Sequence, residues 1–101
     1  MGRYWVNFRI HQDATYRDRY AKLVKAVGEH KGVVWSAGTS FFLIKTDKDM
    51  EETASSLVEG LSPVTDLLVI GDITKQRAAY FGKMDDLESF QKVFPFTKNV
   101  M

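Results

Sequence analysis

The chain has 101 residues, of which 45% are hydrophobic and 27% are charged, as expected for one globular domain with a single core. Because 14 Lys and Arg oppose 13 Asp and Glu, the net charge is only +1, and any attraction to nucleic acid requires a local basic patch. The lack of Cys excludes disulfides, thiolate catalysis and Cys-ligated zinc. No apolar run approaches the ~20 residues that span a bilayer, and no signal-peptide pattern precedes the first element. We therefore expect a cytoplasmic protein without a membrane partner.

Residues 3–11 alternate strictly between apolar side chains and a mixed set. The apolar positions are Tyr4, Val6, Phe8 and Ile10, and the others are Arg3, Trp5, Asn7, Arg9 and His11. Since successive side chains of a strand point to opposite faces, this period of two predicts a strand with one core face. The second face carries an indole and two cations, so what it contacts is the functional question for this chain.

A helix is predicted after the first strand, with Asp13 as its N-cap and Gly28 near its end. Its apolar stripe at helical spacing consists of Tyr16, Tyr20, Leu23, Val24 and Val27. Much of the opposite face is basic, with Arg17, Arg19, Lys22 and Lys25. That basic face is the best candidate for an electrostatic contact with phosphate.

The rest of the chain predicts two strands at 33–36 and 40–46, joined by a short turn that contains Gly38. A second helix follows, whose stripe is Met50, Ala54, Leu57, Val58 and Leu61. Residues 66–74 are typical of a buried strand, and 75–83 of a polar connection. A short helix is then expected before Phe94, with a frayed tail after it.

This order, β-α-β-β-α-β, predicts an α+β fold of the ferredoxin-like type. It has a four-stranded antiparallel sheet with both helices on one face and a short C-terminal helix. Residues 1–83 form the ferredoxin-like domain, and 84–101 pack on the same domain or on a dimer partner. The sheet face without helices would show Trp5, Asn7, Phe41 and Leu43. Since contiguous apolar surface usually marks an interface, we predict a homodimer through these four residues.

Several short motifs resemble a known family. These are Tyr20-x-x-Leu23-Val24, Gly32-x-x-Trp35, the strands 40–46 and 67–70, and 79–82 (Ala-Tyr-Phe-Gly). The chain resembles the small stand-alone relatives of the second core CRISPR-associated protein, the spacer-acquisition endonuclease-like family. The resemblance implies a sheet-to-sheet homodimer and, in the CRISPR members, an Asp at the end of the first strand that holds a divalent metal. Arg9 stands at that position here, and a cation does not ligate a metal ion.

The leading hypothesis is therefore a non-catalytic, dimeric member of that family that binds DNA or RNA, with no catalytic residue, metal or cofactor. The candidate nucleic-acid-binding residues are Arg9, Arg17, Arg19, Lys22, Lys25 and Lys31. One alternative is a divalent-metal-dependent nuclease whose ligand has moved to Asp13. Another is a small-molecule enzyme or sensor of the dimeric α+β barrel type, with a ligand pocket lined by Asn7, Arg9 and His11.

Overall fold

The computed structural model describes residues 2–30, 32–36 and 40–100. The predicted turn at 37–39 lies outside this part of the chain. The elements are, in chain order, β1 (Gly2–Arg9), α1 (Tyr16–Gly28), β2 (Val33–Trp35), β3 (Phe41–Thr46), α2 (Met50–Val58), β4 (Leu67–Asp72), β5 (Arg77–Gly82), α3 (Leu87–Val93) and β6 (Phe96–Asn99). The strands form a six-stranded sheet in the order β2-β3-β1-β4-β5-β6, antiparallel except for the parallel pair β5 and β6.

Strand β1 is central, as its alternation predicts, and pairs with β3 on one side and β4 on the other. Its even positions are buried in the core, where Phe8 stacks on Phe42 at a ring-centroid distance of 5.2 Å. The apolar period of two therefore decides both the strand and the face that it turns inward.

Helices α1 and α2 cover this inner face of the sheet. Their buried apolar side chains, which join the core cluster, are Leu23, Val27, Met50, Ala54 and Leu57. The side chain of Asp49 caps α2 by accepting the backbone N–H of Glu52 at 2.8 Å. Within the described residues, no helix combines the length and the apolar composition needed to cross a membrane.

The predicted four-stranded sheet is wrong in its number of strands. The segment 75–83, interpreted as a polar connection, contains β5, and the tail expected to fray contains β6. Ala78 and Ala79 have little intrinsic strand preference, so the sequence pattern is weak. Pairing with the buried strand β4 supplies the burial and the hydrogen bonds that make this segment a strand.

The predicted C-terminal helix is present as α3, and its N-cap is Asp86, whose side chain accepts the N–H of Ser89. Asp86 has a φ of 52°, a left-handed conformation that Asp tolerates better than most residues. After α3, Phe94 contacts Trp5 on the outer face of the sheet.

Candidate functional site

The outer face of the sheet carries one row of side chains that runs across five strands. Strand pairing aligns Trp35 with Leu43, Leu43 with Trp5, Trp5 with Gly71, and Gly71 with Ala78. A Cβ at Gly71 would overlap the indole of Trp5. Because glycine has no side chain, the indole can lie directly over the backbone of Gly71.

The C-terminal segment covers the middle of this row. Phe94 contacts Trp5 with ring centroids 5.7 Å apart, and it also packs on Phe90 at 5.3 Å. At the end of β1, Arg9 Nη2 lies 3.4 Å from Asp85 Oδ2 in an exposed ion pair. Trp5 is consequently half-buried within its own chain.

The other end of the row remains open. Trp35 is 49% exposed and Val33 is 66% exposed, and both stand beside exposed Leu43 and Ile73. Together these four side chains line a shallow, mainly apolar depression of about 220 Å³, which Arg3 and Lys45 also border. We call Val33, Trp35, Leu43 and Ile73 the open apolar patch.

The four residues predicted for the dimer interface are separated by this arrangement. Leu43 belongs to the open apolar patch, and Phe41 adjoins it through an edge-to-face contact with Trp35 at 6.5 Å. Asn7 is exposed, whereas Trp5 is covered by Phe94. Sequence reasoning missed the exposed Trp35, although its place two residues after Val33 on a short strand puts both on one face.

Three of the predicted nucleic-acid-binding residues are exposed on α1, namely Arg17, Lys22 and Lys25. Lys22 and Lys25 also line a groove of about 400 Å³ between α1 and α2, which includes Glu29 and Glu59. Its charge is therefore mixed. Lys31 lies outside the described residues.

Arg19, predicted in the same basic set, is held by acidic side chains. Its Nε is 2.9 Å from Asp66 Oδ2 and its Nη1 is 3.0 Å from Asp13 Oδ1. Its Nη2 also donates to the carbonyl of His11 at 2.7 Å. Since these contacts occupy the guanidinium, Arg19 ties α1 to the end of β1 and is the member of the set least able to reach a phosphate.

The residues of the two alternative hypotheses are also engaged by the fold. The carboxylate of Asp13 accepts hydrogen bonds from Arg19 and from Thr15, and these lower its pKa to about 2. The backbone N–H of His11 donates to Asp66 at 2.9 Å, while its side chain is exposed. No group of three His, Asp or Glu side chains suited to a metal ion occurs in the part of the chain that the structure describes.

The described chain is thus a mixed α+β protein with one half-covered sheet face and an open apolar patch. Comparison with protein-family models, with curated proteins and with solved structures gave no match for this chain.

Proposed function

We propose that this protein is a non-catalytic, ferredoxin-like binding module that forms a homodimer in the cytoplasm through the open apolar patch and binds nucleic acid. Its strand order β2-β3-β1-β4, with two helices on one face, supports the ferredoxin-like part of this proposal. The resemblance to the spacer-acquisition endonuclease-like family agrees with a sheet-to-sheet dimer. That family membership remains a prediction.

The single observation that carries the dimer is the exposure of Trp35 beside three further exposed apolar side chains. Contiguous apolar side chains that are exposed to water are unfavourable in free energy. A second copy of the chain carries the same patch, so a homodimer buries both patches against each other. A two-fold axis through Leu43 would place each Trp35 against the partner sheet. Arg3 and Lys45, at the border of the depression, would remain at the rim, where charged side chains are common.

The dimer is tested by light scattering after size-exclusion chromatography at micromolar concentration. We expect twice the chain mass of 11.5 kDa for the wild type and the single chain mass for Trp35→Glu. Val64→Glu is the matched control, because Val64 is an exposed Val outside the patch. A wild-type protein that elutes at the single chain mass contradicts the proposal.

The nucleic-acid part rests on the exposed cations of α1, where Lys22 and Lys25 are neighbours at a spacing of three. We expect weak binding of a fluorescent oligonucleotide that decreases as salt rises, because released counterions drive such binding. Arg17→Glu combined with Lys22→Glu should weaken it by roughly tenfold or more. Lys92→Glu on α3 is the control. An affinity for the oligonucleotide that changes neither with salt nor with the substitutions on α1 contradicts the nucleic-acid proposal.

A further inference from the structure

A third cavity, which is polar, lies at the end of the sheet where β1 begins and where β3 and β4 end. It measures about 340 Å³, and its lining includes Gly2 and the hydroxyl-bearing Tyr4 and Thr74. Its charged residues are Arg3, Lys48, Lys75 and Arg77 with Asp47, Asp49 and Asp72. We call this the end cavity. Four cations against three acids leave one positive charge in excess.

Two of the three acids are already committed to the fold. Asp72 is buried and accepts the N–H and the hydroxyl of Thr74 at 2.9 and 2.8 Å. Although burial opposes ionisation, these hydrogen bonds hold the pKa of Asp72 below its ordinary value. Asp49 caps α2 through the N–H of Glu52. Only Asp47 lacks such a hydrogen bond among the contacts of the described residues.

The cations, in contrast, have few partners. Arg77 Nε lies 3.9 Å from Asp72 Oδ2, beyond hydrogen-bond length, and this buried N–H has no acceptor in the described part of the chain. Arg3, Lys48 and Lys75 form no ion pair with any residue that the structure describes. A buried N–H without an acceptor is costly, so a ligand that supplies oxygen atoms would stabilise this cavity.

The wall of the end cavity is held in place by its own hydrogen bonds. The hydroxyl of Tyr4 donates to the carbonyl of Lys48 at 3.0 Å, and the N–H of Lys48 donates to Thr46 Oγ1 at 3.3 Å. Asp72 lies opposite Arg77 on the neighbouring strand. The backbone under two of the cations is consequently fixed, which lowers the entropy cost of gathering them around a ligand.

We propose that the end cavity binds a phosphate group. The guanidinium fork of Arg77 matches two phosphate oxygens, and the two lysines add point charges around them. The phosphate belongs either to a small molecule, such as a nucleotide, or to the backbone of a nucleic-acid strand. This site is separate from the helix α1 cations, and Arg3 is the one charged residue that it shares with the border of the open apolar patch.

The test is a titration of ¹⁵N-labelled full-length protein with inorganic phosphate at low ionic strength, followed by the backbone amide signals. We expect saturable shifts at Lys48, Thr74 and Lys75, and none at Leu67, which lies at the opposite end of β4. Arg77→Gln should weaken binding about tenfold, as expected for the loss of a charge-assisted pair. Lys83→Gln, an exposed lysine beyond β5, should bind as the wild type does.

Because Arg77→Gln also removes the neighbour of buried Asp72, a second variant is needed that leaves this pair intact. Lys48→Gln combined with Lys75→Gln changes two exposed side chains and should reduce phosphate binding severalfold. If end-cavity amides do not shift, or if they shift equally in this double variant, the proposal is wrong. The same titration of Trp35→Glu separates this result from that of the dimer proposal.

Two further titrations distinguish the source of the phosphate. Adenosine monophosphate that shifts the end-cavity amides at lower concentration than inorganic phosphate indicates a nucleotide site. A short oligonucleotide that shifts the same amides and displaces phosphate indicates a backbone contact. If inorganic phosphate shifts the end-cavity amides and neither of these two probes does so at lower concentration, the site binds free phosphate.

Discussion

Arg19 Nε lies 2.9 Å from Oδ2 of Asp66, and the side chain of Asp66 is completely buried. The same carboxylate accepts the backbone N–H groups of His11 at 2.9 Å and Ser62 at 2.8 Å. One acid thus joins the end of β1, helix α1 and the loop before β4. This junction holds the basic helix on the sheet, and it was not visible in the sequence pattern.

Asp66→Ala should lower the free energy of unfolding by about 3–5 kcal/mol, because it leaves two partly buried N–H groups without their acceptor and removes one of the two carboxylates that pair with Arg19. Urea unfolding followed by circular dichroism measures this change. The matched control is Asp85→Asn, which breaks the exposed ion pair with Arg9 and should cost less than about 1 kcal/mol. Equal losses in both variants would show that Asp66 has no special role.

His30 is the other buried titratable group of interest, with only 8% of its surface exposed. Ser56 gives its one hydroxyl hydrogen to the carbonyl of Thr53 at 2.8 Å, so it accepts the Nε2–H of His30 at 3.1 Å. Nδ1 of neutral His30 then carries a lone pair without a partner in the described residues. Burial, and next the charge of Lys48, lower the pKa of His30, while Glu29 and Asp47 act in the opposite direction.

This shift makes stability depend on pH in a defined direction. The unfolded chain binds a proton near the ordinary pKa of 6.5, before the folded protein does. Stability is therefore complete above that value and falls as pH decreases toward the lower pKa of the folded state. As pH is lowered below 6.5, we expect the urea concentration at the midpoint of unfolding to decrease in the wild type. The decrease should be smaller in His30→Gln. His11→Gln, at an exposed position, should retain the wild-type profile.

Gly71 should not accept a side chain. Gly71→Val places methyl groups where the indole of Trp5 lies, and we expect a loss of about 1–3 kcal/mol of stability from overpacking. Gly28→Ala is the control, since a Cβ there meets no atom within 4 Å, and it should stabilise the helix by up to about 1 kcal/mol. Thermal unfolding of the two variants checks this contrast. A Gly71→Val protein that unfolds at the wild-type temperature would contradict this contact between Gly71 and the indole of Trp5.

The contact between Phe94 and Trp5 should report on the C-terminal segment. In a Trp35→Phe background, Phe94→Ala should shift the fluorescence of Trp5 to longer wavelength, because its indole gains contact with water. The accompanying loss of stability should stay below the roughly 3–5 kcal/mol of a fully buried Phe. Phe96→Ala, at a strongly exposed position, should change neither quantity. An unchanged spectrum in Phe94→Ala would place Trp5 elsewhere.

Much of the fold was predictable because its signals are local. The alternation of β1 and the stripes of α1 and α2 each follow from spacing alone. The predicted core faces are buried or partly buried except at Val24, which is 44% exposed. Strand β5 was not predictable from spacing, because Ala78 and Ala79 become strand residues only through pairing with β4. The candidate site was predicted less well, since Trp5 is covered by a segment almost 90 residues later in the chain.

The sequence by itself determined that the chain opens with a strand that has one apolar face, because a period of two is the strand's own. The structure ends that strand at Arg9, two residues before the end of the alternating pattern. The sequence also determined which faces of the helices turn inward. Only the tertiary structure decided which indole remains exposed, since Phe94 covers Trp5 and leaves Trp35 open. It likewise decided that Arg19 pairs with Asp66, 47 residues away, while Lys48 and Lys75 stand around one cavity. Such pairings arise from long-range packing, which no local periodicity encodes.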